Sequence, residues 1–138
     1  MSTDCVFCKI SWGEVPSFKI YEDDSFLAFL DIKPIVEGHT VVIPKKHFDI
    51  VWDVENTGEY FEVVRKIAKH YQKISGNEYV YSFIHGEGVR HAHVHILPSE
   101  DKGFGKKFSQ ALNSINNLGS LSTDEGNKIM NKYKFLLP

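Results

Sequence analysis

His91, His93 and His95 occupy alternate positions within five residues, in the stretch HAHVHILP. In an extended chain alternate side chains share a face, so this spacing sets three imidazoles about 7 Å apart on one side. Ala92, Val94 and Ile96 then point to the other side, toward a core. Three chemistries fit such a row. It is a polar strand facing solvent, a set of metal ligands, or a nucleophilic imidazole whose neighbours handle charge. A second constellation lies near the start: Cys5-x-x-Cys8 puts two thiols on one tight turn. That pair suits a metal or redox chemistry, but no βαβ pattern surrounds it.

The elements that must carry these residues are legible from periodicity. Residues 18–22 and 25–32 read as two strands joined at Asp23-Asp24, a hairpin. Pro34, Gly38 and His39 fall in the loop that follows. Thr40 to Ile43 is a β-branched run that Pro44 ends, the signature of a buried strand. Asn56 and Glu59 have capping-box spacing. After them Phe61, Val64, Ala68 and Tyr71 recur at helical intervals, which predicts a long amphipathic helix stopped by Gly76-Asn77. Residues 78–84 and 92–97 read as strands flanking a glycine-bearing loop. Residues 108–118 read as a short helix. A last helix starts at Thr123, with Ile129, Met130, Tyr133 and Leu137 as its apolar side. Strands, one long helix, strands and then helices give an α+β fold, an antiparallel sheet with helices packed on one face.

The bulk properties bound the function. The chain has 138 residues, 42% hydrophobic and 25% charged, with a formal net charge of −2. That is one domain with one core, too short for an α/β barrel. No basic field is available for general nucleic-acid binding. No apolar run reaches membrane-spanning length, and the start of the chain lacks the pattern of a secretory leader. The expectation is a cytoplasmic protein whose two cysteines stay reduced.

HAHVHILP matches the His-φ-His-φ-His-φ-φ motif of the histidine-triad (HIT) nucleotide-binding proteins. CVFCKI resembles that family's opening segment, in its zinc-containing branch. SFKIYEDDSFLAFLDIKPIVEGHTVVIPKKH is similar to its hairpin, loop and following strand. The resemblance covers residues 5–98, and residues 99–138 form a looser C-terminal extension of the single domain.

The resemblance implies a central antiparallel sheet with one long helix, and a homodimer. It implies a nucleotide hydrolase or nucleotidyl transferase acting at the α-phosphate of a purine nucleotide conjugate. On that reading His93 is the nucleophile and forms a covalent nucleotidyl-histidine. His95 and His39 donate hydrogen bonds to phosphate oxygens. Asp31 accepts from the ribose hydroxyls. Val6, Phe7, Ile10, Phe29 and Ile32 form the apolar slot for the base, and Gly86 and Gly88 offer backbone N–H groups to phosphate. Cys5, Cys8, His47 and His91 make a closed, structural zinc site. His70 is read as exposed and uninvolved.

The chain departs from the family in the segment HGEGVRHAHVH. Glu87 or Gly88 stands where a glutamine is usual, and His85 occupies the space of an asparagine. A carboxylate beside phosphates is repulsive unless protonated or paired, here with Arg90. Glu87 is therefore read as a general acid or as pointing outward. Ser99 follows Pro98 where a basic residue is frequent. These departures favour a phosphoramidase-like activity over dinucleoside polyphosphate hydrolysis. The alternative is a nucleotide- or partner-binding module with little turnover.

Overall fold

Five short strands pair into one antiparallel sheet in the computed structural model, which describes residues 4–135. In chain order they are β1 (Lys19–Glu22), β2 (Phe26–Leu30), β3 (Thr40–Pro44), β4 (Tyr81–Phe83) and β5 (Val94–Leu97). Their spatial order is β1-β2-β3-β5-β4. Of the three inner strands, β3 and β5 are buried along their whole length and β2 along all but Leu30. This is the α+β architecture that the sequence predicts.

The long helix, α2 (Thr57–Ser75), packs on the sheet, and α1 (Val6–Ser11) precedes it in the chain. Helix α1 is a difference from the sequence reading, which places only a turn there. Cys5 caps it, with the Cys8 N–H donating to its Sγ at 3.4 Å. Six residues are too few to show helical periodicity, although Cys8 and Ile10 of it are buried.

Helix α2 buries Tyr60, Val63, Ile67 and Tyr71 rather than the row through Phe61, Val64 and Ala68. The predicted stripe is thus displaced by one residue, with Tyr71 common to both. Both tyrosines have partners: Tyr60 Oη donates to Val42 O at 2.6 Å, and Tyr71 Oη lies 2.6 Å from Thr40 Oγ1. Tyr60 also stacks on Phe26, with ring centroids 5.4 Å apart. These side chains join Val94 and Ile96 in the main core. Asn56 is the N-cap but makes no side-chain capping bond, so the expected capping box does not form. Gly76 ends the helix in the left-handed conformation, as expected.

The described residues fall into two compact units, one running to Phe104 and the other from Gly105. In the second, α4 (Thr123–Tyr133) is capped by Ser122, which accepts from Glu125 N and donates to Glu125 Oε1. Its Ile129, Met130 and Tyr133 are exposed, and Leu137 lies outside the described residues. Helix α3 (Phe104–Ile115) starts and ends before the expected 108–118. Among the described residues, no helix is long and apolar enough to cross a membrane.

Candidate active site and metal centre

The ladder of β5 begins only at Val94, so His91 and His93 lie just before the strand and not inside it. The alternation nevertheless holds. Ala92, Val94 and Ile96 enter the main core, and the Ala92 N–H donates to Phe48 O at 2.7 Å, which anchors the segment. All three imidazoles are buried on the opposite side. They do not act as one set. His91 turns to the cysteines, while His93 and His95 face His39 and the loop before the triad.

Backbone atoms decide which nitrogen of His93 and of His39 carries the proton, and His39 decides it for His95. His93 Nδ1 is 2.7 Å from the carbonyl of His91, so Nδ1–H donates there and the Nε2 lone pair is free. His39 Nδ1 accepts the Ile35 N–H at 3.1 Å, which leaves the proton on Nε2. That proton goes to His95 Nδ1, 2.9 Å away. His95 in turn carries its proton on Nε2, which is buried without a partner. A buried donor with no acceptor costs about 1–3 kcal/mol, which a ligand oxygen would offset. Burial, with nearby imidazoles adding, pushes His95 down to about 4, and burial likewise lowers His39. Both rings are thereby held neutral at neutral pH.

Asp31 Oδ2 lies 3.6 Å from His39 Nε2, and Asp31 Oδ1 accepts the Lys33 N–H at 2.8 Å. Asp31, His39 and His95 are near enough to hold a cation. The hydrogen bonds favour a shared proton instead, because the Ile35 amide occupies the Nδ1 lone pair of His39 and its Nε2 is protonated.

Residues 83–88 flank His93 and His95. His85 is exposed and parallel to His95 at 5.9 Å between centroids, with Phe83 parallel to His95 at 4.3 Å. His85 also lies edge-on to His93 at 6.4 Å. Its Nδ1 accepts the Glu87 N–H at 3.3 Å. Gly86 and Gly88 have φ of 81° and 95°, conformations that other residues rarely adopt. Arg90 pairs with Asp49 at 3.2 Å and not with Glu87, so the pairing expected from sequence is corrected. Asp49 also receives His47, and the two bonds hold it at the metal centre instead.

Of the expected base slot, Phe7, Ile10 and Phe29 come together in one apolar cluster. Phe7 meets Phe29 and His93 edge-on, each at 5.4 Å. Ile10 and Phe29 are buried, whereas Val6 is 39% and Ile32 81% exposed, and neither of these two belongs to that cluster. His70 is exposed on α2, as expected.

Cys5, Cys8, His47 and His91 converge, their ligand atoms all within 4.8 Å of one another. Cys5 Sγ is 3.3 Å from His91 Nδ1, and Cys8 Sγ is 3.3 Å from His47 Nδ1 and 3.5 Å from His91 Nδ1. A tetrahedral zinc would place sulfur and nitrogen ligands roughly 3.6 Å apart. The far nitrogens are engaged: His91 Nε2 donates to Pro44 O at 2.8 Å and His47 Nε2 to Asp49 Oδ1 at 3.0 Å. Both Nδ1 lone pairs therefore face the thiols. Burial pushes the Cys8 thiol up to about 11, and a dication among these atoms would reverse that. The four residues fit a metal ion.

The HIT domain model matches residues 12–102 of the chain. This protein belongs to the HIT family. An uncharacterized HIT-like protein of Borreliella burgdorferi is 40% identical over 120 residues, 80% of this chain and 86% of that one. The adenosine 5'-monophosphoramidase of Candida albicans is 32% identical over 130 residues, 85% of this chain and 86% of that enzyme. Among solved structures, a HIT-family protein of Bacillus subtilis has a TM-score of 0.72 and 31% identity, covering 94% of each chain.

Several contacts of this HIT-family site were not evident from sequence. The Ile35 amide on His39 and the Pro44 carbonyl on His91 are backbone groups and leave no signature in residue types. Asp49 did leave one: a carboxylate two residues after His47 is within reach of its ring.

Proposed function

We propose that this chain hydrolyses purine nucleotide conjugates at the α-phosphate through a covalent nucleotidyl-His93. The observation that carries this reading is the free Nε2 of His93 next to the buried, unpartnered Nε2–H of His95. His93 Nε2 attacks phosphorus, and the leaving group departs with the electron pair of the broken bond and a proton taken from solvent. The His95 Nε2–H donates to a non-bridging oxygen as its charge grows, and His39 holds His95 in the right tautomer. Water then attacks the nucleotidyl-His93 and releases the nucleoside monophosphate. Asp31 Oδ2 accepts from the ribose, Val6 and Ile32 cover the base, and Gly86 and Gly88 turn N–H groups toward phosphate.

The phosphoramidate linkage is the favoured substrate. The Candida albicans relative supports it, as does the absence of a glutamine in the loop before the triad. Zinc is the favoured metal for two thiols and two imidazoles. It would supply a structural brace, because Cys5, Cys8, His47 and His91 would fill a tetrahedral shell and leave no position open. The same reading includes a homodimer in the reducing cytoplasm.

The test is covalent trapping with radiolabelled adenosine 5'-phosphoramidate, followed by denaturation. Labelled protein is expected from wild type and none from His93→Ala. Wild-type protein that binds adenosine monophosphate, yet is neither labelled nor turns over, would instead favour a binding module.

A further inference from the structure

Asp49 bridges two groups with separate oxygens. Its Oδ1 accepts from His47 Nε2 at 3.0 Å, and its Oδ2 accepts from Arg90 at 3.2 Å. His47 lies on the loop after β3, and Arg90 immediately precedes His91. One carboxylate therefore ties together the two segments that bring imidazoles to the cysteines. The two histidines are not equally secured. His91 is fully buried, with its ring held by the Pro44 carbonyl. His47 is only part-buried, and Asp49 is the acceptor that holds its far nitrogen.

We propose that Asp49, buttressed by Arg90, is the positioning residue that makes His47 a competent metal ligand. The inference rests on the metal reading above. An imidazole aims its Nδ1 lone pair at a metal only while Nε2 carries the proton. A carboxylate on Nε2–H fixes that tautomer, stops the ring from turning and makes Nδ1 a better donor. Arg90 holds the carboxylate by its second oxygen, so that it does not rotate away.

The experiment titrates full-length, reduced protein with Co²⁺ alone, read by thiolate-to-cobalt absorption against a competing chelator. Asp49→Asn is expected to weaken binding about 10- to 100-fold. The absorption at saturation stays, because both cysteines still bind. Asp49→Asn is then repeated in a His47→Ala background, where a residue acting through His47 has nothing left to act on and the second substitution changes affinity less than twofold. An equal loss in both backgrounds would mean that Asp49 acts as a distant charge, and that result overturns the proposal. So does Asp49→Asn binding as tightly as wild type. If wild type gives no cobalt–thiolate absorption, the metal reading fails, and the role of Asp49 falls with it. Circular dichroism of each variant shows whether the fold is intact, and weak binding by folded Asp49→Asn counts in favour only where the His47→Ala background removes the effect.

Discussion

His39 Nε2 lies 2.9 Å from His95 Nδ1, and the Ile35 N–H occupies the other nitrogen of His39. A backbone amide thus settles the tautomer of His39, and His39 settles that of His95. His39→Ala removes the donor to His95 Nδ1 and frees the proton to move between the two nitrogens. The loss in kcat on adenosine 5'-phosphoramidate is expected to be on the order of 10²-fold. The ¹⁵N shifts of His95 should change from a single Nε2–H tautomer to a mixture. A pure Nε2–H signal in the variant would show that some other group makes the choice.

The neutrality of His95 also has a stability consequence. Burial holds it to about 4 in the folded chain, against an unfolded imidazole near 6.5. Between those values the unfolded chain binds the extra proton, so stability falls as pH falls through that window. The slope is at most about 1.4 kcal/mol per pH unit for one group. Urea midpoints measured from pH 7 to 4 should decline more steeply for wild type than for His95→Gln at matched metal content. Parallel lines would show that His95 does not contribute.

Tyr60 offers a test of the core. Its hydroxyl donates to Val42 O, a backbone group of the central strand β3. Tyr60→Phe keeps the stacking on Phe26 but leaves that carbonyl short of a donor in a buried place. A loss of about 1–2 kcal/mol in unfolding free energy is expected from urea denaturation. Phe61→Ala, on the neighbouring row, should cost clearly less.

That comparison also shows what residue patterns can and cannot reveal. Two rows of α2 have helical spacing, one through Tyr60 and one through Phe61. Tyr71 belongs to both, so the choice between them turns on whether the Tyr60 hydroxyl finds a partner across the core, and Val42 O is a tertiary fact. The triad reads better. Strict alternation from His91 to Ile96 set the faces correctly, although the ladder starts only at Val94. The convergence of Cys5, Cys8, His47 and His91 came from resemblance, since no spacing connects position 8 with position 91. The tautomers of His39, His91 and His93 were out of reach, because backbone amides and carbonyls choose them.

Metal loading should separate the cysteines from the nucleophile. Cys8→Ser removes a ligand of the buried cluster, and His93→Ala does not. About one zinc per chain is expected in wild type and His93→Ala, and far less in Cys8→Ser, by elemental analysis of purified protein. Zinc lost on His93→Ala would place His93 among the ligands. Chelation should also slow turnover, because the carbonyl that sets the His93 tautomer belongs to His91.

Gly38 precedes His39 and has a φ of 88°. A Cβ there would stand 2.9 Å from Pro98 Cγ, inside van der Waals contact with a rigid ring. Gly38→Ala therefore meets two penalties at once. The left-handed backbone costs about 1–2 kcal/mol, and overpacking adds typically 1–3 kcal/mol. The chain can relieve the clash only by moving residue 38 away from Pro98, and His39 must move with it. Gly38→Ala should lower the urea midpoint and also cut kcat more than Gly13→Ala, where the φ of 78° carries the same backbone strain but nothing lies within 4 Å. Equal kinetic effects of the two substitutions would mean that the contact with Pro98 does not set the position of His39.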